Sequence, residues 1–382
     1  MIKKLKKLFI IMIFCCSLLT LYSCSKPTTV DQKKFSIVTT LYPNYEFINA
    51  ILEGQKEIGK EIEVILIIPY GTDSHNYDPS VSDYITIKNA DLFIYTSDEM
   101  EPWVKGLDLE KSKVFNIYDA LLEYQDFEEL QNLQADDVNH HEHQHDDGHN
   151  HDHSHSHDNY KESNNLLDGI LIWLTNILSY IFPHEHNHAY DPHFWTNMLY
   201  AQYMVEVIYD KLVEVIPDPD NTKVMEMEKN KDAYINQLRI LDEKFMKVSN
   251  HAKDKTIFFG SPFAFYYFTK RYELDYVLTY STCSTEIDPS LIVVLDVVEE
   301  MKHHNAKVIL SKELTSTDAC DKIAEYTGAM VLELHSGHNI SSKDAGSTSF
   351  LKIMEKNVET LAIALNVNID EIIQEGGEAD VN

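Results

Sequence analysis

Cysteine is scarce in this chain. Of the five residues, Cys15, Cys16 and Cys24 lie in the first 24 positions, which leaves only Cys283 and Cys320 in the body. Two cysteines allow one bridge at most and exclude a disulfide-stapled scaffold. Basic charge is also short: 32 Lys and Arg stand against 62 Asp and Glu, for a formal charge of −30. Without the leader lysines Lys3, Lys4, Lys6 and Lys7 the value falls to −34. Nucleic-acid binding needs a basic surface and is excluded. An acidic body attracts cations, weakly beyond a Debye length. Long apolar runs are missing too. Leu8–Leu19 is too short to span a bilayer comfortably, and Leu166–Phe182, though longer, is at the short limit for a span and contains Asp168.

The leader has the form of a targeting signal. A lysine-rich start precedes the apolar Leu8–Leu19, and Leu21-Tyr22-Ser23-Cys24 follows as a bacterial lipobox. Cys24 is therefore the expected lipidation site, with residues 1–23 removed and 24–34 a polar tether. The mature protein is expected outside the cytoplasmic membrane on a lipid anchor. The roughly 355 residues that remain exceed what one domain usually carries.

Short β-like runs alternate with helical patterns. In the first half the runs are Phe35–Leu41, Glu63–Pro69, Asp91–Thr96 and Lys113–Tyr118, with helical stretches at Tyr45–Gly54 and Val81–Asn89. In the second half they are Thr256–Gly260, Asp275–Tyr280, Lys307–Ser311 and Met330–His335, separated by Pro289–His303 and Thr317–Thr327. Such alternation predicts an α/β protein of two Rossmann-like lobes with parallel sheets. Tyr234, Leu238, Leu241 and Phe245 recur at helical spacing in a charged stretch, which predicts a long helix joining the lobes. The expected divisions are a lobe over 35–220, a linking helix over 221–252 and a lobe over 253–382.

What the chain has in excess is histidine. Nine of nineteen fall at His140, His141, His143, His145, His149, His151, His153, His155 and His157, and three more at His184, His186 and His188. The surrounding insert, about 125–189, is too polar to order itself by burial. Its imidazoles are good ligands for borderline metals such as Zn²⁺ and form an expected auxiliary site. Within it, Leu167, Ile170, Leu171, Leu174, Ile177, Leu178 and Ile181 trace a helical stripe, which packs on the protein or lies on the membrane. His141–His145 and His184–His188 both match His-Glu-x-x-His, the zinc-protease pattern. Where histidine recurs at nearly every second position, such matches arise by chance.

The more specific histidines are isolated ones. His193 sits between the turn-forming Asp191-Pro192 and the aromatic pair Phe194-Trp195, a setting that fixes its position. His75 follows the second β-run, where open α/β sheets bind ligands. Glu286 lies past the second run of the late half, and also reads as a charge at a helix N-terminus. His335 closes the last run.

Several stretches together carry a resemblance: Leu41-Tyr42-Pro43, His75-Asn76-Tyr77-Asp78-Pro79-Ser80, Ala90–Tyr95 through Glu101-Pro102-Trp103, Asp191–Trp195, Thr285–Ser290 and the final Phe350–Leu365 helix. In these the chain resembles the metal-binding lipoproteins of zinc/manganese ABC transporters, the cluster A-I solute-binding proteins, over nearly all of it outside the insert. The resemblance implies two α/β lobes held by a long rigid helix, one metal in the interlobe cleft, no catalysis, and delivery to an ABC permease with its ATPase. It implies His75 and His193 as ligands from the first lobe. In the late lobe the chain departs from the zinc-type pattern, because Pro262 stands where a third His is usual. The expected set is therefore His75, His193, Glu286 and His335, with Cys283 and His338 in reserve. Three imidazoles and a carboxylate suit tetrahedral Zn²⁺, with Mn²⁺ second. The expected protein is a monomer. Other readings are a surface metal-storage or adhesin lipoprotein without a permease, and a zinc metallohydrolase.

Overall fold

A computed structural model describes residues 34–53, 62–127, 190–216, 222–280 and 289–369. The leader with Cys24, the His-rich insert with its helical stripe, and the segment with Cys283 and Glu286 lie outside the described residues. No helix among the described residues is long and apolar enough to cross a membrane.

The first lobe begins β1 (Phe35–Thr39), α1 (Tyr42–Ile51), β2 (Ile62–Leu66), α2 (Val81–Asn89), β3 (Leu92–Tyr95), β4 (Val114–Asn116) and α3 (Ile117–Leu121). After the insert come α4 (Met198–Val215) and the 30-residue α5 (Thr222–His251). The second lobe follows as β5 (Thr256–Phe259), α6 (Tyr266–Arg271), β6 (Asp275–Leu278), α7 (Leu291–His303), β7 (Val308–Ser311), α8 (Asp318–Thr327), β8 (Met330–Glu333) and α9 (Phe350–Ala364).

The two sheets share one plan. Their orders are β2-β1-β3-β4 and β6-β5-β7-β8, and every neighbouring pair is parallel. Helices cover the faces of such sheets, so the central strands are buried over most of their length. Leu92-Phe93-Ile94-Tyr95 and Val308-Ile309-Leu310-Ser311 show this directly.

All eight expected strands are present, and the boundary differences have local causes. Helix α1 starts earlier than the pattern suggested, because Pro43 has the fixed φ of a first helical turn. The fourth strand is cut short at Asn116, whose side chain accepts the Asp119 N–H and starts α3. Helix α7 begins after Ser290, whose Oγ accepts the Val293 N–H. Gly328, at φ +72°, ends α8 in the left-handed conformation common there.

Helix α5, about 45 Å long at 1.5 Å per residue, is charged except for one stripe. Met227, Tyr234, Leu238, Leu241, Phe245 and Val248 recur at steps of three, four and seven and are buried. Its polar residues fasten it to both lobes. Asn230 Nδ2 donates to the carbonyls of Ile51 (3.1 Å) and Glu53 (2.6 Å) in the first lobe. Buried Asp242 accepts from Arg271 Nε (3.0 Å) and Nη2 (2.6 Å) and from Tyr272 Oη (3.0 Å) in the second. A fork of this kind is geometrically specific. Both lobes are thus referenced to one rod, and the larger of two buried clusters runs through them, the smaller lying within the second lobe.

Candidate metal site

Three imidazoles converge where the carboxyl ends of the two sheets meet. His75, His193 and His338 each offer a ring nitrogen, all within 4.8 Å of one another. Their ring centroids are 4.8–5.2 Å apart.

His75 stands on a single 3-10 turn, Ser74–Asn76, that follows β2. Asp73 caps this turn by accepting the His75 N–H at 3.0 Å, so the backbone under the imidazole is fixed locally. His193 is wholly buried and precedes the 3-10 turn Phe194–Thr196. Asp191 Oδ1 holds it twice, accepting its backbone N–H at 2.8 Å and facing Nδ1 at 2.7 Å. A carboxylate accepts only, so the proton is on Nδ1 and the Nε2 lone pair points at the site. That Nε2 lies 3.0 Å from His75 Nε2. Two ring nitrogens this close share either a proton or a cation. The carboxylate–imidazole pairing is the arrangement that orients metal-binding histidines.

His338 comes from the second lobe. Its Nε2 lies 2.5 Å from Ser74 Oγ and 3.4 Å from Met100 Sδ. The Trp195 ring stacks on it at 5.6 Å, and Trp195 Nε1 donates to the Ser336 carbonyl at 2.8 Å. Burial holds its pKa well below the usual imidazole value, and neighbouring His75 and Lys312 add to the shift. It is therefore neutral at physiological pH, the form a metal requires.

The segment that carries His338 is stitched to the first lobe. Gly71 N–H donates to the Ile340 carbonyl (2.7 Å), and Asn339 Nδ2 donates to the carbonyls of Pro69 (2.8 Å) and Thr72 (2.9 Å). Ser342 Oγ donates to the Tyr70 carbonyl at 3.0 Å. The loop after β2 and the loop after β8 thus form one surface, and His75 and His338 are held in register across the lobes.

Of the expected ligands, His335 stands outside this group of three. Its Nδ1 accepts the Gly337 N–H at 2.9 Å and stands 3.7 Å from Glu313 Oε2. Asn357 grips its backbone from both sides, donating to the carbonyl (2.7 Å) and accepting the N–H (2.9 Å). Its ring lines a small pocket with Glu333, Asp344, Lys352 and Lys356. Gly337, at φ +76°, reverses the chain between the two histidines and turns His338 inward. The Ser-Gly between them was the signal for this turn. Pro262, at the usual position of a third histidine, offers no donor atom. Glu286 and Cys283 lie outside the described residues, as do Cys24 and the twelve histidines of the insert.

The described ligand set is nitrogenous, which disfavours Ca²⁺ and Mg²⁺ and favours Zn²⁺-like ions. The sequence model of the family described as "ZnuA: Zinc-uptake complex component A periplasmic" matches residues 37–364. The chain belongs to that family.

Among its relatives is the high-affinity zinc uptake system protein ZnuA of Bacillus subtilis, 29% identical over 374 residues, covering 96% of this chain and 99% of that protein. The zinc-binding lipoprotein AdcA of Streptococcus pneumoniae is 28% identical over 363 residues, or 94% of this chain. The match spans 60% of the length of AdcA. The crystal structure of the metal-dependent lipoprotein YcdH from Bacillus subtilis superposes with a TM-score of 0.61 at 25% identity, covering 87% of this chain and 100% of that one. The two-lobed α/β architecture is therefore that of the family.

Proposed function

We propose that this chain is an extracytoplasmic, non-enzymatic solute-binding protein that captures one Zn²⁺ between its lobes and delivers it to an ABC permease. The observation that carries this reading is the convergence of three imidazoles from both lobes, one oriented by a partly buried carboxylate contact. The membership of the family and the zinc-named relatives support the choice of metal.

His75, His193 and His338 supply three ligands, and Glu286 supplies the fourth. Four protein donors close a tetrahedral ion and leave no position for a reactive water, so the site holds the ion without chemistry. Mn²⁺, lower in the affinity order, is the weaker cargo. Release follows when the permease separates the loop after β8 from the loop after β2, removing His338 from the set. Lipidation at Cys24 keeps the monomer at the membrane. Units 35–220 and 253–382 move about the helix 221–252. The twelve insert histidines raise the local metal concentration near the cleft.

The test is chelator-competed zinc binding by the full chain. His75→Ala combined with His193→Ala abolishes high-affinity capture while the insert still takes up weakly held ions. Intact tight capture in that double variant refutes the assignment.

A further inference from the structure

Among the described residues, the cleft leaves one further metal-ligand cluster unused. In the last turn of α7, Glu300, His303 and His304 offer a carboxylate oxygen and two ring nitrogens within 4.8 Å of one another. We propose that these three side chains form a second, surface site for a borderline divalent ion such as Zn²⁺, separate from the cleft.

The geometry supports this beyond proximity. Residues at steps of three and four share one helix face, so Glu300 lies beside both histidines. His304 Nδ1 stands 2.7 Å from Asp254 Oδ2, the distance that Asp191 keeps to His193 in the cleft. Asp254 is itself fixed, since its Oδ1 accepts the Thr256 N–H at 3.0 Å. The Phe258 ring meets the His304 ring edge-on at 5.7 Å and limits its rotation. With Nδ1 engaged, the Nε2 lone pair is free to bind, and it faces Glu300 Oε2 at 3.8 Å. Ligands bound tetrahedrally at about 2.0–2.2 Å lie roughly 3.3–3.6 Å apart, so that edge needs little adjustment. His303 is exposed, and its ring lies 5.3 Å from that of His304. It closes the third position by a side-chain rotation.

Three protein donors leave one position to water, so this ion exchanges more freely than one held by four. Its place is also distinct. Helix α7 runs back along the sheet, so its C-terminal turn sits beside the start of β5, at the end opposite the carboxyl edge that builds the cleft. Asp254 lies two residues before that strand.

Histidine modification by diethylpyrocarbonate, read by peptide mass spectrometry on the full chain, reports each imidazole separately. Zinc at micromolar concentration should protect His303 and His304 together. In Glu300→Gln, which leaves the Asp254–His304 contact in place, protection should require at least tenfold more zinc. Chelator-competed capture in the cleft should be unchanged in that variant. Absence of protection at both histidines, or protection at the same zinc concentration in Glu300→Gln, overturns the proposal. Neither result bears on the cleft.

Discussion

The sharpest perturbation separates two histidines three residues apart. Removal of His338 takes an imidazole out of the cleft, whereas removal of His335 takes one that stands outside the group of three. Structural zinc sites of four ligands are worth about 10–16 kcal/mol. One ligand's share is then about 2.5–4 kcal/mol, a loss of roughly 10²–10³ in affinity. His338→Ala should therefore weaken zinc capture by about that factor. It also leaves Ser74 Oγ without its 2.5 Å neighbour and uncovers the Trp195 face, so the metal-free fold should lose about 1–3 kcal/mol. His335→Ala removes the acceptor of the Gly337 N–H, a loss of about 1 kcal/mol in stability. Its zinc affinity should stay within about threefold of the parent, a difference of under ~1 kcal/mol. Competition against a chelator of known affinity at pH 7.5 reads the tight site alone, and denaturant unfolding reads stability. Equal losses of affinity in the two variants, or a larger loss in His335→Ala, would refute the assignment of His338.

Two further outcomes follow from the same geometry. Glu101 is fully buried next to Met100, and burial pushes its carboxyl up to about 7 against the hydrogen bonds donated by Thr40, Ser97 and Thr96. Unfolded, it ionises near 4.5, so raising the pH between that value and about 7 favours the unfolded chain. Stability relative to Glu101→Gln should fall by about 3 kcal/mol across that window; a difference independent of pH in denaturant melts would show that Glu101 does not titrate there. Gly337→Ala places a Cβ at left-handed φ, 2.8 Å from Phe350 Cε2. It should lower stability by about 1–3 kcal/mol and weaken zinc capture by displacing His338, with unchanged affinity as the contrary result.

Much of the molecule was readable along the chain. The eight strands stood out because parallel strands are apolar runs bounded by turns, and α5 because one apolar stripe interrupts a charged stretch. The fixed settings of His75 and His193 were legible for a local reason. Each sits two residues after an aspartate that fixes its own backbone, so sequence neighbours set its position. Sequence also supplied the acidic charge and the excess of histidine, which depend on residue identity alone.

The choice between His335 and His338 had only the intervening Ser336-Gly337 as a local signal. It depends on Gly337 reversing the chain, on Asn357 gripping the backbone of His335, and on Asn339 and Ile340 bonding to the loop after β2. Asn357 and the loop after β2 are distant in sequence, and a strand pattern ends before it can say which way the next side chains face. The same holds for the cluster on α7. Glu300, His303 and His304 are visible as a helical face, but Asp254 comes from 50 residues away to orient the ring. Residue types and short-range caps fix which groups can bind a metal, whereas the packing of one lobe against the other fixes which of them meet.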